Sequence, residues 1–175
     1  MKLKISFILL VLLVVNFNVC SNDSLLVHNI KKNTINLHDN NSGILIFASG
    51  LACKDCLKEL NAVVLSLVPE NIFDNIGVLI SCKDNIITKK EQIEHFDKFF
   101  AKSIYNYYFD ANYNDVFFND GNNTGFWGKY KITVTPCLLV YKNKKIKFID
   151  YNEMFGRDKE KVDLKKLLLK TFNQL

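Results

Sequence analysis

Apolar residues recur along this chain at two spacings, one typical of strands and one typical of helices. Continuous apolar runs at 44–48 and 77–80 predict two buried strands. Between them we predict a helix from about Cys53 to Val68, because its apolar residues recur every three or four positions. Those residues are Leu57, Leu60, Val64 and Leu67. Two strands separated by a helix are typical of a parallel sheet with a right-handed crossover.

The second half of the chain continues this alternation. Apolar runs at 137–141 and 146–151 predict a hairpin, and a terminal helix follows over about 158–172. A further strand is predicted at 104–109, before a stretch rich in Asn and Asp. The pattern as a whole predicts one α/β domain.

The N-terminus has the pattern of an export leader. Lys2 and Lys4 precede an apolar stretch over 5–15, which is shorter than the roughly 20 apolar residues that a membrane span requires. We therefore predict a signal peptide or lipoprotein leader over 1–20 and a polar tether over 21–34. Cys20 stands where a bacterial lipoprotein is cleaved and acylated, and the alternative is an ordinary leader with Cys20 as an incidental thiol. Either version places the folded domain outside the cytosol, in the periplasm or cell envelope.

Net charge limits the classes of partner. The chain has 175 residues and a formal charge of +5, of which Lys2 and Lys4 supply two. The remaining excess is small and scattered, so it does not indicate nucleic-acid binding. Membrane association is predicted through a lipid on Cys20 or, as the alternative, through an uncleaved leader that serves as an anchor.

Candidate chemistry is concentrated in the tetrapeptide Cys53 to Cys56, at the junction between the first buried strand and the first long helix. A thiol in the first turn of a helix faces unpaired backbone N–H groups, which favour its thiolate. A second thiol three residues on can resolve a mixed disulfide formed by the first. We therefore predict Cys53 as the nucleophile and Cys56 as the resolving thiol. Lys54 and Asp55 act on the first thiolate with opposite signs, and their net effect does not follow from sequence.

The order of strand, Cys-x-x-Cys, helix, strand, helix and then Thr135-Pro136 before a hairpin resembles the thioredoxin-like superfamily. The exported TlpA/ResA-like thiol-disulfide oxidoreductases are the most similar members. The resemblance covers 35–175 and implies a three-layer α/β/α sandwich with a mixed central sheet. It implies that Pro136 is in the cis form beside the dithiol and that Thr135 and Pro136 bind the substrate chain.

The same resemblance implies how such a protein works with others. It implies no metal and no cofactor beyond the redox-active disulfide itself. The implied partners are disulfide-containing envelope proteins and an upstream thiol-disulfide electron donor.

The chain also departs from the usual thioredoxin pattern. Ala52 stands in place of the usual Trp, and Lys54-Asp55 stand in place of Gly-Pro, so redox potential and partner choice do not follow from the resemblance. The strand over 44–48 carries no carboxylate that could move protons. Glu59 is the nearest glutamate in sequence, and at an early helical turn it is more typical of a solvated residue.

Two further cysteines leave alternatives open. Cys82 and Cys137 are candidate auxiliary thiols that extend the dithiol relay, or small apolar residues packed in the core. A cluster of four thiolates, the second hypothesis, would form a metal-binding module, and a non-catalytic domain that keeps the fold is a further alternative. A peroxiredoxin-like peroxidase is a weaker one, because Gly50 occupies the position of the activating threonine.

Overall fold

The computed structural model describes residues 25–31, 33–81, 86–110, 125–156 and 162–175. The predicted leader with Cys20, and also Cys82, lie outside these residues. The described strands are β1 Leu26–His28, β2 Thr34–Asn36, β3 Ser42–Ala48, β4 Asn75–Ile80, β5 Asn106–Asp110, β6 Cys137–Lys142 and β7 Lys145–Ile149. The described helices are α1 Lys54–Leu67, α2 Ile86–Phe96, α3 Phe126–Lys129, α4 Tyr151–Phe155 and α5 Leu164–Gln174.

The seven strands form one mixed sheet in the order β2-β1-β5-β4-β3-β6-β7. β3, β4 and β5 run parallel, and the other neighbours are antiparallel. In this register Phe47, near the end of β3, lies opposite Cys137, the first residue of β6. The sheet therefore brings the chain that leaves β3 toward the dithiol beside the chain that enters β6 from Pro136.

Alternation along the strands divides the core between the two faces of the sheet. One face of β3 packs under α1 and α5, and the opposite face packs under α3. The first cluster includes Ile44, Ile46, Leu57, Leu60, Val64, Leu164 and Leu168. The second includes Leu45, Phe47, Leu79, Phe126, Trp127, Cys137 and Leu139. Helices thus cover both faces, which confirms the predicted three-layer α/β/α sandwich.

Near the amino end of the parallel strands, a buried polar network crosses the sheet. Asn75 donates to the hydroxyl of Tyr141 at 3.0 Å and accepts from the hydroxyl of Tyr108 at 3.0 Å. The tyrosines fit because Gly43 and Gly77 lack side chains: a Cβ at Gly43 would lie 2.3 Å from the Tyr141 hydroxyl oxygen. Buried hydroxyls without partners are costly, so Asn75 makes two large aromatic residues compatible with this core.

The N-terminal segment joins the sheet earlier than predicted. β1 pairs with β5 and β2 pairs with β1, while Leu25 and Val27 are fully buried. The predicted tether over 21–34 therefore overlaps the folded sheet from Leu25 onward. The fully buried Leu25 and Val27 stand in a mainly polar segment, and two such residues are too short a pattern to predict a strand.

Candidate active site

Cys53 occupies the N-cap position of α1, immediately before the first helical residue. Its backbone is extended, and its sulfur accepts a hydrogen bond from the backbone N–H of Cys56 at 3.4 Å. The sulfur thus does what the oxygen of Ser or Asp does at other helix starts: it satisfies an N–H group that has no partner within the helix. The fold therefore places one thiol directly at the positive end of α1.

The pKa of Cys53 is lowered from the ordinary value of 9.0. The largest cause is a hydrogen bond from the Cys56 thiol, and the Cys56 backbone N–H adds to it. Burial and the charge of Asp55 oppose the shift. Hydrogen bonds donated to a thiolate favour the ionised form, so Cys53 is the more reactive of the two thiols.

Cys56 lies one turn into α1 and has the opposite character. Burial, followed by its hydrogen bond to Cys53, raises the pKa of Cys56 to about 11. Its sulfur also lies 3.4 Å from the hydroxyl oxygen of Tyr151, the first residue of α4, and either group can donate. The pair therefore combines one thiol poised to ionise with one that holds its proton at neutral pH.

The two residues between the cysteines point away from the protein. The side chain of Asp55 is 94% exposed and lies 3.5 Å from the ammonium group of Lys58. Lys54 is exposed as well. An exposed carboxylate is screened by solvent, which explains why Asp55 opposes the Cys53 thiolate only weakly.

Pro136 lies in the loop that enters β6, and the Thr135-Pro136 peptide bond is cis, as the resemblance implies. The backbone N–H of Cys53 donates to the carbonyl of Thr135 at 3.4 Å. The buried hydroxyls of Thr135 and Ser49 lie 2.8 Å apart. The structure thus brings together Cys53, Cys56, Thr135 and Pro136, from two distant parts of the sequence.

The fold was compared with known proteins. No protein family and no curated protein matches the chain by sequence, whereas solved structures do match it. A thioredoxin-like protein from Porphyromonas gingivalis is 15% identical and superposes with a TM-score of 0.56, covering 87% of this chain and 90% of that chain. The exposed lipoprotein thioredoxin of Streptococcus pneumoniae is 16% identical, with a TM-score of 0.53 over 87% and 100% of the two chains.

A third match is a thiol:disulfide interchange protein from a Bacteroides species, 15% identical, with a TM-score of 0.51 over 86% of this chain and 87% of that chain. This chain has the thioredoxin-like fold. At these identities the matches show the fold alone, so the chemistry must be argued from the residues of the site.

Within this thioredoxin-like fold, Cys137 is separated from the dithiol helix by the sheet. It belongs to the core cluster on the face covered by α3, is only 2% exposed, and donates its thiol to the carbonyl of Val134 at 2.9 Å. Burial raises the pKa of Cys137 to about 11. These features favour packing over a relay role for Cys137.

Two open cavities flank the dithiol of the thioredoxin-like fold, and Tyr151 lines both. One, of about 350 Å³, runs along the loop before Pro136 and includes Val134, Cys137 and Asp150. The other, of about 260 Å³, is lined by Cys56, Glu59 and residues 154–156. Glu59 therefore lines the same cavity as the Cys56 thiol.

Exposed apolar residues also flank the dithiol. Leu51, two residues before Cys53, is 87% exposed, and Val134, two residues before Pro136, is 49% exposed. Large apolar side chains left in water next to a reactive group are typical of a contact surface. We call Leu51 and Val134 the apolar rim.

The described residues also bear on metal binding and on membrane association. Within 25–31, 33–81, 86–110, 125–156 and 162–175, no three side chains of His, Cys, Asp or Glu converge as a metal site would require. Cys82, the fourth member of the hypothetical thiolate cluster, is outside these ranges. Among the helices that the structure describes, none is long and apolar enough to cross a membrane.

Sequence reasoning missed Ser49 and Tyr151. The hydroxyl of Ser49 pairs with that of Thr135, and no local sequence pattern predicts this contact. Tyr151 was assigned to the end of the hairpin, whereas it begins α4 after Asp150 caps that helix by accepting from the N–H of Glu153. The sequence contained a signal for that helix, since Asp followed three residues later by Glu is a capping pattern.

Proposed function

We propose that this protein is an exported thiol-disulfide oxidoreductase of the TlpA/ResA-like kind, which reduces or exchanges disulfides in partner proteins. Cys53 is the nucleophile and Cys56 is the resolving thiol. The observation that carries the proposal is the opposite ionisation of the two thiols: the pKa of Cys53 is lowered and that of Cys56 is raised to about 11. That difference makes one sulfur attack first and keeps the other protonated until it is needed.

The reaction has two steps. In the first, the Cys53 thiolate attacks one sulfur of a partner disulfide, and the other partner sulfur leaves as a thiolate and takes a proton from water. In the second, Cys56 loses its proton and attacks the Cys53 sulfur, which releases the first partner sulfur. Two electrons pass from the dithiol to the partner, and a disulfide between Cys53 and Cys56 remains. An upstream thiol donor restores the dithiol, so no other cofactor is needed.

The substrate is a protein chain held across the loop before Pro136. The carbonyl of Thr135 is already bonded to the Cys53 N–H, so substrate backbone near Thr135 and Pro136 lies close to the attacking sulfur. The apolar rim supports a polypeptide substrate, because Leu51 and Val134 gain most from contact with apolar side chains beside the partner's cysteine. The partners are disulfide-containing proteins of the cell envelope.

The location belongs to the same proposal. The leader over 1–20 exports the domain 35–175, with its added N-terminal strand, to the periplasm or cell envelope, and Cys20 carries a lipid that anchors it. One structural neighbour, the pneumococcal thioredoxin, is itself an exposed lipoprotein. Mass spectrometry of Cys20 in the cell-derived protein tests the lipid directly, with Cys20→Ser as the control.

A redox titration of the mature protein tests the proposed activity. Glutathione buffers of graded potential, followed by alkylation and mass spectrometry, should show one reversible two-electron couple confined to Cys53 and Cys56. In Cys56→Ser, a disulfide-bonded protein such as insulin should be trapped at Cys53. A pair that resists reduction, or thiols protected by a bound metal, would refute the oxidoreductase proposal and favour a structural or metal-binding module.

A further inference from the structure

Tyr151 lies outside α1, and its side chain hydrogen bonds the resolving thiol. Its hydroxyl oxygen lies 3.4 Å from the Cys56 sulfur, and its ring packs against Phe155 with ring centroids 5.4 Å apart. The capping of α4 by Asp150 fixes the backbone that carries this ring. The Tyr151 hydroxyl is therefore positioned at the Cys56 sulfur by the capped start of α4.

We propose that the Tyr151 hydroxyl donates a hydrogen bond to the Cys56 sulfur as that sulfur ionises and attacks Cys53, and so promotes the resolving step. This inference rests on the proposed function, because it concerns the second step of the exchange. Tyr151 acts on a reacting atom, but it neither forms nor breaks a covalent bond.

The direction of the hydrogen bond follows from the chemistry of the two groups. A neutral thiol can donate or accept, whereas a thiolate can only accept, so Tyr151 must be the donor once Cys56 ionises. The hydrogen bond that Tyr151 donates to Cys56, followed by burial, raises the pKa of Tyr151 to about 12, so its hydroxyl keeps its proton at neutral pH. The bond to Tyr151 lowers the pKa of Cys56 against the larger effect of burial.

The step balances in atoms and electrons. Cys53 enters it bonded to a partner sulfur, and Cys56 enters it as a thiol that gives its proton to water. A new bond forms between the sulfurs of Cys56 and Cys53, the bond from Cys53 to the partner breaks, and the partner thiolate takes a proton from water. Tyr151 retains its own proton throughout, so it stabilises charge without being consumed.

Other titratable groups face the same sulfur. Cys53 lies on α1 itself, and Glu59 lines the cavity that Cys56 shares with α4. Asp55 acts on Cys53, but it is exposed to solvent. A measured pH profile for the second step must therefore be repeated in Glu59→Gln, so that an effect of that carboxylate is separated from the effect of the tyrosine.

A small aromatic disulfide, 5,5′-dithiobis(2-nitrobenzoate), resolves the two steps in one experiment. Attack by Cys53 releases one coloured thiolate, and attack by Cys56 on the resulting mixed disulfide releases the second. In Tyr151→Phe we expect a nearly unchanged first phase and a second phase slower by about tenfold at neutral pH, because the Cys56 thiolate loses a hydrogen bond that stabilises it; tenfold corresponds to about 1.4 kcal/mol, close to the contribution of a hydrogen bond to a charged group. The difference between the second-phase rates of the wild type and Tyr151→Phe should become smaller as the pH approaches the pKa of Cys56.

Tyr107→Phe is the matched control. Tyr107 lies on β5, two strands from β3, and the substitution removes a hydroxyl that donates to the carbonyl of Phe100. It should leave both phases unchanged. The inference is overturned if Tyr151→Phe leaves the second phase unchanged, slows both phases equally, or behaves like Tyr107→Phe. The unchanged first phase also shows that the variant is folded around Cys53. If the wild-type protein releases only one equivalent, the proposed function fails and this inference fails with it.

Discussion

The hydroxyl oxygens of Ser49 and Thr135 lie 2.8 Å apart, both in buried residues. Ser49 follows β3 on the way to the dithiol, and Thr135 precedes Pro136 on the way to β6. Their hydrogen bond joins the two loops that form the candidate site, and the two residues are 86 positions apart in sequence. The position of Cys53 relative to Pro136 therefore depends on a pair of small polar residues as well as on the sheet.

Loss of one hydroxyl should destabilise the protein by more than the bond itself contributes. Thr135→Val leaves the Ser49 hydroxyl buried without this partner, and we expect a loss of about 1–3 kcal/mol in the free energy of unfolding. The double variant Ser49→Ala/Thr135→Val should cost less than the sum of the single variants, by about 1 kcal/mol. Urea denaturation measures all three, and Thr133→Val, at an exposed position two residues away, is the control. Strictly additive losses would contradict a direct bond between the two hydroxyls.

Removal of the Cys56 thiol should make Cys53 less acidic. The hydrogen bond from Cys56 is the largest cause that lowers the pKa of Cys53, so Cys56→Ala should raise that pKa toward 9.0. The thiolate fraction at neutral pH then falls, and alkylation by iodoacetamide slows. The pH dependence of the alkylation rate gives the pKa in each variant.

Asp55→Asn should change the pKa of Cys53 in the opposite direction. The Asp55 charge raises the pKa of Cys53, so its removal should lower that pKa and speed alkylation. The effect should be smaller and should shrink in high salt, because the Asp55 side chain is 94% exposed. An identical pH profile in Cys56→Ala and wild type would show that the two thiols do not interact.

The apolar rim should matter for protein substrates and not for small ones. We expect Leu51→Ser combined with Val134→Ser to lower kcat/KM for insulin by about tenfold. Full burial of one large apolar side chain against the substrate would contribute about 1.5–3 kcal/mol to binding, and partial burial contributes less. Reduction of oxidised glutathione should be unchanged, because it is too small to cover both side chains.

Val68→Ser is the matched control for the rim. Val68 is 36% exposed and is the C-cap of α1, about 22 Å from Cys53 at 1.5 Å per helical residue. It should leave both substrates unaffected. Equal losses for insulin and glutathione in the rim variant would point to damage at the dithiol and contradict a docking role.

The sequence predicted the strands and helices whose own residues form a continuous or periodic apolar pattern. β3, α1, β4 and β6 are long and fully or periodically apolar, and the structure confirms them within one or two residues. β1 has three residues and is stabilised by pairing with β5 on one side and β2 on the other. Such pairing is a property of the tertiary structure, so no local pattern predicts it.

The residues of the candidate site also differ in whether a local sequence pattern predicts their position. Cys53 and Cys56 are neighbours in sequence, so their place at the start of α1 follows from the helix pattern. Tyr151 is 95 residues from Cys56, and only the order of β3, β6 and β7 brings it to the dithiol. The polar network around Asn75 also joins residues that are distant in sequence, since Tyr141 lies 66 residues away.

Replacement of Cys137 separates its two remaining interpretations. If it is a packed residue, Cys137→Ala should preserve the two-electron couple and its midpoint potential. The free energy of unfolding should fall by about 1–2 kcal/mol, because a small cavity forms and the Val134 carbonyl loses the thiol that donates to it. In the wild-type protein, native alkylation should label Cys53 well before Cys137, which is 2% exposed and has a raised pKa of about 11. A midpoint shift of about 30 mV or more, which is about 1.4 kcal/mol for two electrons, would instead show that the Cys137 thiol takes part in the relay.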